Sequence, residues 1–481
     1  MKKQWIVRLI CALLLLPSSM AFAQKSAQKE IENYCFDTKE FQHAQVSVSV
    51  RDIESSNILV DVNGDKSMTP ASIVKLYTSA AALSYFGDDF QFKTTIGYTG
   101  TIEKNGTLNG DIVIIGGGDP TMASKFFPAT KHFIDTITQA VLNAGITKIK
   151  GSVIIDCSMY KDEKESIPST WLFDDFGRDY AAGVFPISFQ DNIFQISIKT
   201  GENSEIIAMN DSTENEGLTI TNSDESADTT LLLHSNADDQ LVKITGYIPP
   251  NRNEYVVRSA MPSPPDVLGM ELHMAFFKKG LVQYNHQYKI SKKSISVNVL
   301  KEIYSPQLQY IVGIMNYYSS NNYAEHLVKY IAHAKTGNGT FLDGAVSVMA
   351  YIKSLGVKST GLSLFDGSGL SRTDISNANH MSEFLAKEYQ AVGGTTSAFY
   401  KSLPTSGKTG TLRNFPFPSY LIGKVHAKTG SMSGVRNLAG YMETKSGKKI
   451  SFCLMFNGCF DSDYLMKEKE SKILEILYNN Y

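Results

Sequence analysis

Two short segments near the start of the chain alternate apolar and polar residues, a period of two that is typical of β-strands with one buried face. Val46, Val48 and Val50 are separated by polar residues, and the apolar run Ile58–Val62 follows after a polar turn. The pattern therefore predicts that two antiparallel strands open the fold.

A helix is predicted directly after these strands, and more helices are predicted in the second half of the chain. Thr69 can cap the first helix, Pro70 suits its first position, and Gly87 can end it. Helical periodicity returns over residues 308–317, 323–333, 341–355 and 381–391. Residues 419–456 then predict three strands, and an amphipathic helix closes the chain.

Strands at both ends with helices between them predict an α/β fold, a sandwich of an antiparallel sheet and helices in which the two termini share the sheet. The stretch from about 95 to 295 keeps its own apolar segments, separated by polar runs such as 210–228. It is therefore predicted to be a large β-rich insertion. This divides the chain into a main domain, residues 24–95 plus 296–481, and an inserted part, residues 96–295, expected to contain two nested units.

The N-terminal segment has the pattern of a cleaved secretory signal. Lys2, Lys3 and Arg8 make a positive start, an apolar run follows over residues 9–16, and Ala21–Ala23 is a small-x-small cleavage site. A membrane anchor is the alternative, but the apolar run is shorter than the roughly 20 residues that a bilayer span needs. We therefore expect residues 1–23 to be removed, no membrane span, and a periplasmic or secreted protein.

Composition excludes several classes of function. The chain has 481 residues, 42% apolar and 20% charged, as expected for a globular protein with room for more than one domain. The net charge is −2, so no basic excess exists to bind the phosphates of a nucleic acid. After the signal, Cys35, Cys157, Cys453 and Cys459 form no Cys-x-x-Cys pair, and their disulfide pairing stays open. The histidines make no HExxH motif or its inverse, so no metal site is expected, and no cofactor is expected either.

A serine and a lysine three residues apart are the first candidates for chemistry. Ser72 and Lys75 lie on one face of the predicted helix, so the hydroxyl and the amine are within reach of each other. An amine can take a serine proton only when burial or a nearby positive charge lowers its pKa. Because the apolar Ile73 and Leu76 bury this helix start, we prefer Ser72 to other pairs of the same spacing in polar surroundings. These are Ser26/Lys29, Ser158/Lys161 and Ser446/Lys449.

Ser319-Ser320-Asn321 is the second candidate motif, since it places a hydroxyl and an amide just before a predicted helix. The alternative interpretation is structural, because serine and asparagine are common helix caps. The motif alone does not decide between the two.

Lys-Thr-Gly occurs three times, so the surroundings must select among the copies. Lys335–Gly337 ends a predicted helix, where a basic last turn and a glycine are common. Lys408–Gly410 lies in a loop between prolines. Lys428–Gly430 follows a strand predicted over 421–427 and precedes a return strand. Only this third copy is expected at a sheet edge, where an extended substrate could add as another strand.

In this order, Ser-x-x-Lys, Ser-x-Asn and Lys-Thr-Gly form the motif set of penicillin-binding proteins and β-lactamases. The long stretch between Ser72 and Ser319 resembles the insertion of the class C low-molecular-mass penicillin-binding proteins, the D-alanyl-D-alanine carboxypeptidase/endopeptidase family. Ser320 departs from that family, which usually has Asp there. Further segments that resemble family signatures are Gly118–Thr121, Trp171–Asn192, Asp366–Arg372, and Leu403–Pro404 with Gly410–Leu412.

The resemblance implies a β-lactamase/transpeptidase-like sandwich and a serine D-alanyl-D-alanine carboxypeptidase or endopeptidase. The enzyme would act on peptidoglycan stem peptides through an acyl-enzyme on Ser72, and β-lactams would inhibit it. Lys75 would take the Ser72 proton, and Ser319 would pass a proton to the leaving amine. Asn321 would hold the substrate amide, and Lys428 with Thr429 would bind the terminal carboxylate. The N–H groups of Ser72 and Ser431 would bind the oxyanion. Gly430, next to Ser431, is also implied to bind substrate.

The resemblance also implies a pocket for a side chain of the stem peptide. Asp175, Tyr180, Arg372 and Met432 would line it. The alternative is that Asp175 and Arg372 are solvated loop charges.

Two other functions stay open from the sequence. A serine β-lactamase shares the fold and the motifs, but nothing here resembles the Glu-bearing loop of class A enzymes, and the insertion is unexplained. A catalytically inactive cell-wall-binding module is the second, although all the reactive side chains are present. The expected partners are peptidoglycan stem peptides and β-lactams.

Overall fold

The structure, a computed structural model, describes residues 27–161, 166–199, 205–209, 219–222, 232–235, 242–246, 253–283, 287–459 and 462–481. The predicted signal peptide, residues 1–23, lies outside the described residues.

The helices confirm the predictions for the second half of the chain. They are α1 (27–37), α2 (Val74–Phe86), α3 (Phe133–Asn143), α4 (Pro264–Lys278), α5 (Leu308–Tyr318), α6 (Asn321–Thr336), α7 (Phe341–Ser354), α8 (Ala378–Ala391), α9 (Ala398–Lys401) and α10 (Asp463–Asn480). The predicted helices between 308 and 391 correspond to α5–α8, with ends that differ by no more than three residues. Among the described segments, no helix combines the length and apolar character needed to cross a membrane.

The strands fall into several sheets. They are β1 (Gln45–Asp52), β2 (Ile58–Val62), β3 (Lys93–Tyr98), β4 (Thr101–Ile102), β5 (Thr107–Asn109), β6 (Ile112–Ile115), β7 (Lys148–Ile149), β8 (Val153–Asp156), β9 (Ile193–Lys199), β10 (Glu205–Met209), β11 (Thr219–Asn222), β12 (Leu232–Ser235), β13 (Val242–Gly246), β14 (Tyr255–Ala260), β15 (Tyr288–Ser291), β16 (Asn298–Tyr304), β17 (Val425–Met432), β18 (Val435–Glu443) and β19 (Lys449–Asn457).

The main sheet joins the two ends of the chain. Its strand order is β17-β18-β19-β1-β2, and neighbouring strands are antiparallel. β1 pairs with β19, with Ser49 opposite Cys453. The prediction that the termini share one antiparallel sheet is confirmed, and β17 lies at one edge of that sheet.

Helices cover both faces of the main sheet. Val48 and Val50 of β1 pack in one core with residues of α1 and α10. The intervening Ser49 points to the other face, where its hydroxyl lies 2.6 Å from Asn379 Oδ1 and 2.8 Å from Ser382 Oγ, both on α8. This alternation follows from the period of two along a strand. On the α8 side, α2 and α5–α7 share one apolar core with α8.

The second large sheet explains how the chain leaves the main domain and returns. β3 pairs antiparallel with β16, and Lys93 at the start of β3 lies opposite Tyr304 at the end of β16. Both belong to a sheet of order β15-β8-β6-β3-β16. Because entry and exit are adjacent, α5 returns to contact α2. The smaller sheets are β4-β5-β7, β10-β9-β14 and β11-β13-β12. The exact division at 95/96 and 295/296 stays a prediction.

Candidate active site

Ser72 lies in a short 3₁₀ turn that leads directly into α2. The predicted start, with Thr69 as cap and Pro70 as the first α-helical residue, is wrong, because Pro70 precedes this turn. The reason is a tertiary contact: the Asn437 side chain of β18 donates to the carbonyl oxygens of Thr69 and Pro70 at 3.0 and 2.7 Å. Ala71 has a φ of 48°, a left-handed conformation that is uncommon for a residue with a side chain. The backbone before Ser72 is therefore tied to the main sheet.

The amine of Lys75 contacts three oxygen atoms. Nζ lies 2.9 Å from the Ser72 hydroxyl, 2.6 Å from Asn321 Oδ1 and 2.8 Å from the Ser368 carbonyl oxygen. Ser72 lies in the turn before α2 and Lys75 in the first turn of α2, so a spacing of three residues puts both side chains on one face. The structure thus brings the first two sequence motifs together.

Lys75 is fully buried. Burial disfavours the charged form and lowers the pKa of the Lys75 amine to about 7, although the carboxyl groups of Asp366 and Glu325 act in the opposite direction. At neutral pH, a substantial fraction of such an amine is unprotonated and can accept a proton.

The middle residue of the Ser319-Ser320-Asn321 motif is a helix cap, which is the structural alternative considered for this motif. Ser320 caps α6, because its hydroxyl accepts from the Tyr323 N–H at 3.3 Å. Asp is as good a helix cap as Ser. The departure from the family at Ser320 therefore leaves this local structure intact.

The outer residues of the same motif face the site. Ser319 ends α5 in a left-handed conformation, with φ of 57°, and its hydroxyl accepts from Lys428 Nζ at 2.8 Å. Asn321 begins α6; its Oδ1 accepts from Lys75, and its Nδ2 donates to the Tyr180 carbonyl at 2.8 Å. The motif therefore serves as both a helix cap and a set of site contacts.

Only the third Lys-Thr-Gly copy, Lys428–Gly430, belongs to the main sheet. The prediction placed this copy at the end of a strand over residues 421–427. In the structure it lies inside β17, which runs from Val425 to Met432. The strand starts later because Gly423 has a φ of 79°, which a β-strand does not allow. As predicted, Lys335–Gly337 closes α6 and Lys408–Gly410 lies in a loop.

The side-chain amine of Lys428 is held between two oxygens. Nζ donates to Ser319 Oγ and to the Thr429 carbonyl, both at 2.8 Å. Lys428 is fully buried, and burial together with the nearby charge of Lys75 holds the pKa of its amine well below the ordinary value. Thr429 donates to the Thr411 hydroxyl at 3.0 Å, so the loop of the second Lys-Thr-Gly copy supports the third.

Backbone groups of β17 point to the outer edge of the sheet beside the site. Successive residues of an antiparallel strand direct their N–H and C=O groups to opposite sides. The Ala427 N–H donates to the Pro404 carbonyl, outside the sheet. By alternation, Thr429 and Ser431 also direct their backbone groups outward.

A cleft of about 250 Å³ lies at this edge. Ser72, Ser319, Thr429 and Ser431 are among the residues that line it. A larger cavity of about 840 Å³ lies between α3 and α5, and none of the predicted site residues lines it. The smaller cleft is therefore the candidate active site.

Gly430 permits the close approach of β17 to the turn that carries Ser72. A Cβ atom at Gly430 would lie 2.8 Å from the Pro70 carbonyl oxygen and 3.1 Å from the Ile73 nitrogen. Both are backbone atoms, which cannot rotate away. A side chain at this position would push the strand and the turn apart.

The residues predicted for the side-chain pocket lie on two sides of the site. The Tyr180 hydroxyl donates to Asp175 at 2.9 Å, and the Tyr180 carbonyl accepts from Asn321. On the β17 side, the Arg372 guanidinium donates to the carbonyl of Ser433, the residue after Met432, at 3.4 Å. Their role in binding stays a prediction.

Comparison with known proteins identifies the family. A model of the D-Ala-D-Ala carboxypeptidase 3 (S13) family matches residues 27–479. This chain belongs to the S13 family. It is 26% identical to the D-alanyl-D-alanine carboxypeptidase of Actinomadura sp. (strain R39), over 92% of this chain and 84% of that protein. It is 24% identical to the D-alanyl-D-alanine carboxypeptidase DacB of Haemophilus influenzae, over 91% and 90%.

Solved structures confirm the fold of this S13 peptidase. The crystal structure of penicillin-binding protein 4 from Haemophilus influenzae superposes with a TM-score of 0.79 at 23% identity, covering 90% of this chain and 96% of that one. The same protein in complex with a β-lactam gives a TM-score of 0.75 at 23% identity, with the same coverage. Together with the family match over residues 27–479 and the curated relatives, this fold confirms the resemblance to class C low-molecular-mass penicillin-binding proteins.

Sequence reasoning missed a buried carboxyl group behind the Lys75 amine. The oxygens of Glu325 accept from the N–H groups of Gly367 and Ser368, and the Ser368 carbonyl contacts Lys75. A signal was present, because Glu325 follows Asn321 by four residues and so shares its face of α6.

A second buried carboxyl group, that of Asp366, connects the inserted part to the loop that contacts Lys75. Asp366 Oδ2 accepts from the Trp171 indole N–H at 2.8 Å and from the Ser371 N–H at 2.7 Å, while Oδ1 accepts from Gly369. Trp171 and Asp366 each start a segment that resembles a family signature. The sequence offered no sign that the two segments meet.

Proposed function

We propose that this S13 peptidase hydrolyses the bond between the two terminal D-alanines of peptidoglycan stem peptides through an acyl-enzyme on Ser72. The observation that carries this proposal is the 2.9 Å contact between the Ser72 hydroxyl and the fully buried Lys75 amine. Family membership, and the carboxypeptidase names of the curated relatives, supply the substrate class.

Formation of the acyl-enzyme begins with proton transfer. Unprotonated Lys75 takes the Ser72 proton as Oγ bonds to the carbonyl carbon of the penultimate D-alanine. The oxyanion is stabilised by the backbone N–H groups of Ser72 and Ser431. The outward direction of the Ser431 backbone groups supports this role, because the oxyanion would lie on the open side of β17.

Collapse of the tetrahedral species releases the terminal D-alanine. Ser319, which contacts the Lys428 amine at 2.8 Å, passes a proton to the leaving amine. Lys428 and Thr429 bind the terminal carboxylate, and Asn321 holds the substrate amide. Water then hydrolyses the ester on Ser72. The same chemistry cleaves a peptide cross-link when the leaving amine belongs to a second stem peptide.

The same proposal covers the pocket and the site of action. Asp175, Tyr180, Arg372 and Met432 would contact a side chain of the stem peptide. This is supported by the contact of Tyr180 with Asn321 and by the position of Met432 next to Ser431 on β17. The N-terminal signal pattern supports a periplasmic or secreted enzyme that meets peptidoglycan outside the cytoplasm. β-Lactams would acylate Ser72, in keeping with the β-lactam complex of the Haemophilus influenzae protein.

The experiment that tests this function is incubation of the purified mature chain with muropeptides and, separately, with labelled penicillin. We expect release of D-alanine, or cleavage of cross-linked muropeptides, and a long-lived penicillin adduct. Rapid turnover of penicillin without D-alanine release would instead identify a β-lactamase. Neither reaction would identify an inactive wall-binding protein.

The pH dependence of kcat/KM should report the Lys75 amine. Because burial lowers its pKa to about 7, the base is lost as the pH falls through 7. We therefore expect kcat/KM for D-alanine release to rise with pH, with a midpoint near 7. An acidic midpoint close to that of an ordinary carboxyl group would contradict Lys75 as the base.

Gly430→Ala is expected to lower the rate of acylation by penicillin about tenfold or more. The added Cβ meets backbone atoms of the Ser72 turn, and a displacement of about 1 Å at a reacting centre can cost about 10²-fold in rate. Stopped-flow or gel-based acylation assays measure the effect. Gly313→Ala, on α5 with no atom within 4 Å of the added Cβ, is the control and should acylate at the wild-type rate.

A further inference from the structure

The Lys75 amine needs a fixed orientation as well as a lowered pKa. A neutral amine has two N–H donors and one lone pair in a tetrahedral arrangement. Two carbonyl oxygens, Asn321 Oδ1 and the main-chain oxygen of Ser368, lie 2.6 and 2.8 Å from Nζ and can only accept hydrogen bonds. Once both N–H donors point at these oxygens, the lone pair faces the third neighbour, the Ser72 hydroxyl at 2.9 Å.

The Ser368 carbonyl is held in place from behind. Glu325 Oε1 accepts from the Ser368 N–H at 2.8 Å, and its two oxygens accept from the Gly367 N–H at 3.1 and 3.0 Å. On the other side, the Thr78 hydroxyl of α2 donates to the Gly367 carbonyl at 2.7 Å. The turn at Gly367 and Ser368 is therefore fixed between α6 and α2.

Glu325 is fully buried, and several titratable groups face it and Lys75. Asp366 and Asp374 approach from the segment after α7, and Lys428 approaches Lys75 from β17. Burial and the charge of Asp366 raise the pKa of Glu325, whereas the hydrogen bonds from Ser368 and Gly367 and the Lys75 ammonium lower it. The contacts of its two oxygens with these N–H donors favour the ionised carboxylate. A buried carboxyl group costs stability unless it is paired and hydrogen-bonded. Glu325 is hydrogen-bonded to the N–H groups of Gly367 and Ser368, and the Ser368 carbonyl contacts Lys75.

We infer that Glu325 is a positioning residue of the reaction: it fixes the Ser368 carbonyl that directs the Lys75 lone pair at Ser72, and its carboxylate stabilises the Lys75 ammonium. The inference rests on the proposed function and adds a residue outside the three motifs. The ammonium forms when the proton moves from Ser72 Oγ to Lys75 Nζ, and it disappears when that proton passes on to the leaving amine. Glu325 itself gains and loses no proton in this sequence.

Glu325→Gln tests this role, because it keeps the size of the side chain while removing the charge and one acceptor oxygen. We expect acylation by a fluorescent penicillin to be about tenfold slower or more at high pH, where Lys75 is unprotonated. We also expect the acidic midpoint of acylation to move to lower pH, because the ammonium loses a neighbouring negative charge. A purely structural role would not shift this midpoint.

Glu388→Gln is the matched control. Glu388 is also a buried helical carboxyl group with a raised pKa, of about 7, but it lies on α8 and accepts from the Tyr351 hydroxyl at 2.6 Å. We expect the wild-type acylation rate and midpoint for this variant. Thermal unfolding of both variants shows whether each is folded.

Glu325→Asp keeps the charge but withdraws it from the N–H groups of Gly367 and Ser368. We expect slower acylation with a midpoint closer to wild type, and this variant carries the test if Glu325→Gln does not fold. Acylation within twofold of wild type, with an unchanged midpoint, in a folded Glu325 variant overturns the inference alone. A wild-type chain that neither binds penicillin covalently nor releases D-alanine overturns the proposed function, and the inference with it.

Discussion

Ser72→Ala is expected to lower D-alanine release by about 10⁴-fold or more, because the variant has no oxygen at the position that contacts Lys75. The covalent penicillin adduct should be lost as well, since no acyl ester can form. Release of D-alanine from a peptide ending in D-Ala-D-Ala, and intact-protein mass after penicillin treatment, measure the two effects.

Ser446→Ala is the matched control for this variant. Ser446 and Lys449 have the same Ser-x-x-Lys spacing, but both are exposed around the turn between β18 and β19. Activity and adduct formation should equal those of wild type. A penicillin adduct that persists in Ser72→Ala would place the nucleophile elsewhere and remove the basis of the proposed mechanism.

Lys75→Met is expected to slow acylation by about 10²–10⁴-fold, the contribution that a general base makes. Methionine fills a similar buried volume but offers no lone pair able to take the Ser72 proton. The residual rate should also stop rising through pH 7, because the group with that pKa is gone. Acylation by fluorescent penicillin from pH 5 to pH 9 measures both results.

The control is Lys449→Met, which removes the exposed lysine of the look-alike pair and should leave the rate and its pH dependence unchanged. A folded Lys75→Met variant that retains the rise near pH 7 would show that another group titrates there. Acylation within tenfold of wild type would show that another base takes the proton.

Local patterns predicted the elements of the fold well. The valines of β1 and the helices α5–α8 follow periodicities of residues close together in the sequence. Within a strand or helix, that spacing alone decides which residues share a face. The errors occur where distant residues intervene. The start of α2 depends on Asn437 of β18, and residues 421–424 are not in the strand because Gly423 adopts a left-handed conformation.

The candidate site was predicted through motifs whose members reach it from different elements. Ser72 and Ser319 line one cleft, and Lys428 contacts Ser319; that these residues are catalytic stays a prediction. The spacing of four residues from Asn321 placed Glu325 on the same face of α6, but its supporting role was missed because its contacts are to main-chain N–H groups, which every sequence contains. Only the fold shows which N–H groups a side chain meets.

The order of strands and helices, the three motifs and the family resemblance were all encoded in residues close together along the chain. The tertiary structure alone decided which carbonyl oxygens orient Lys75, because Asn321 and Ser368 are 246 and 293 residues away from it. Folding also decided the pKa of Lys75, since that value depends on the burial created by packing α2 against α6. The sequence motifs thus supply the reactive side chains, and the packing of distant segments buries Lys75 and aligns it with Ser72.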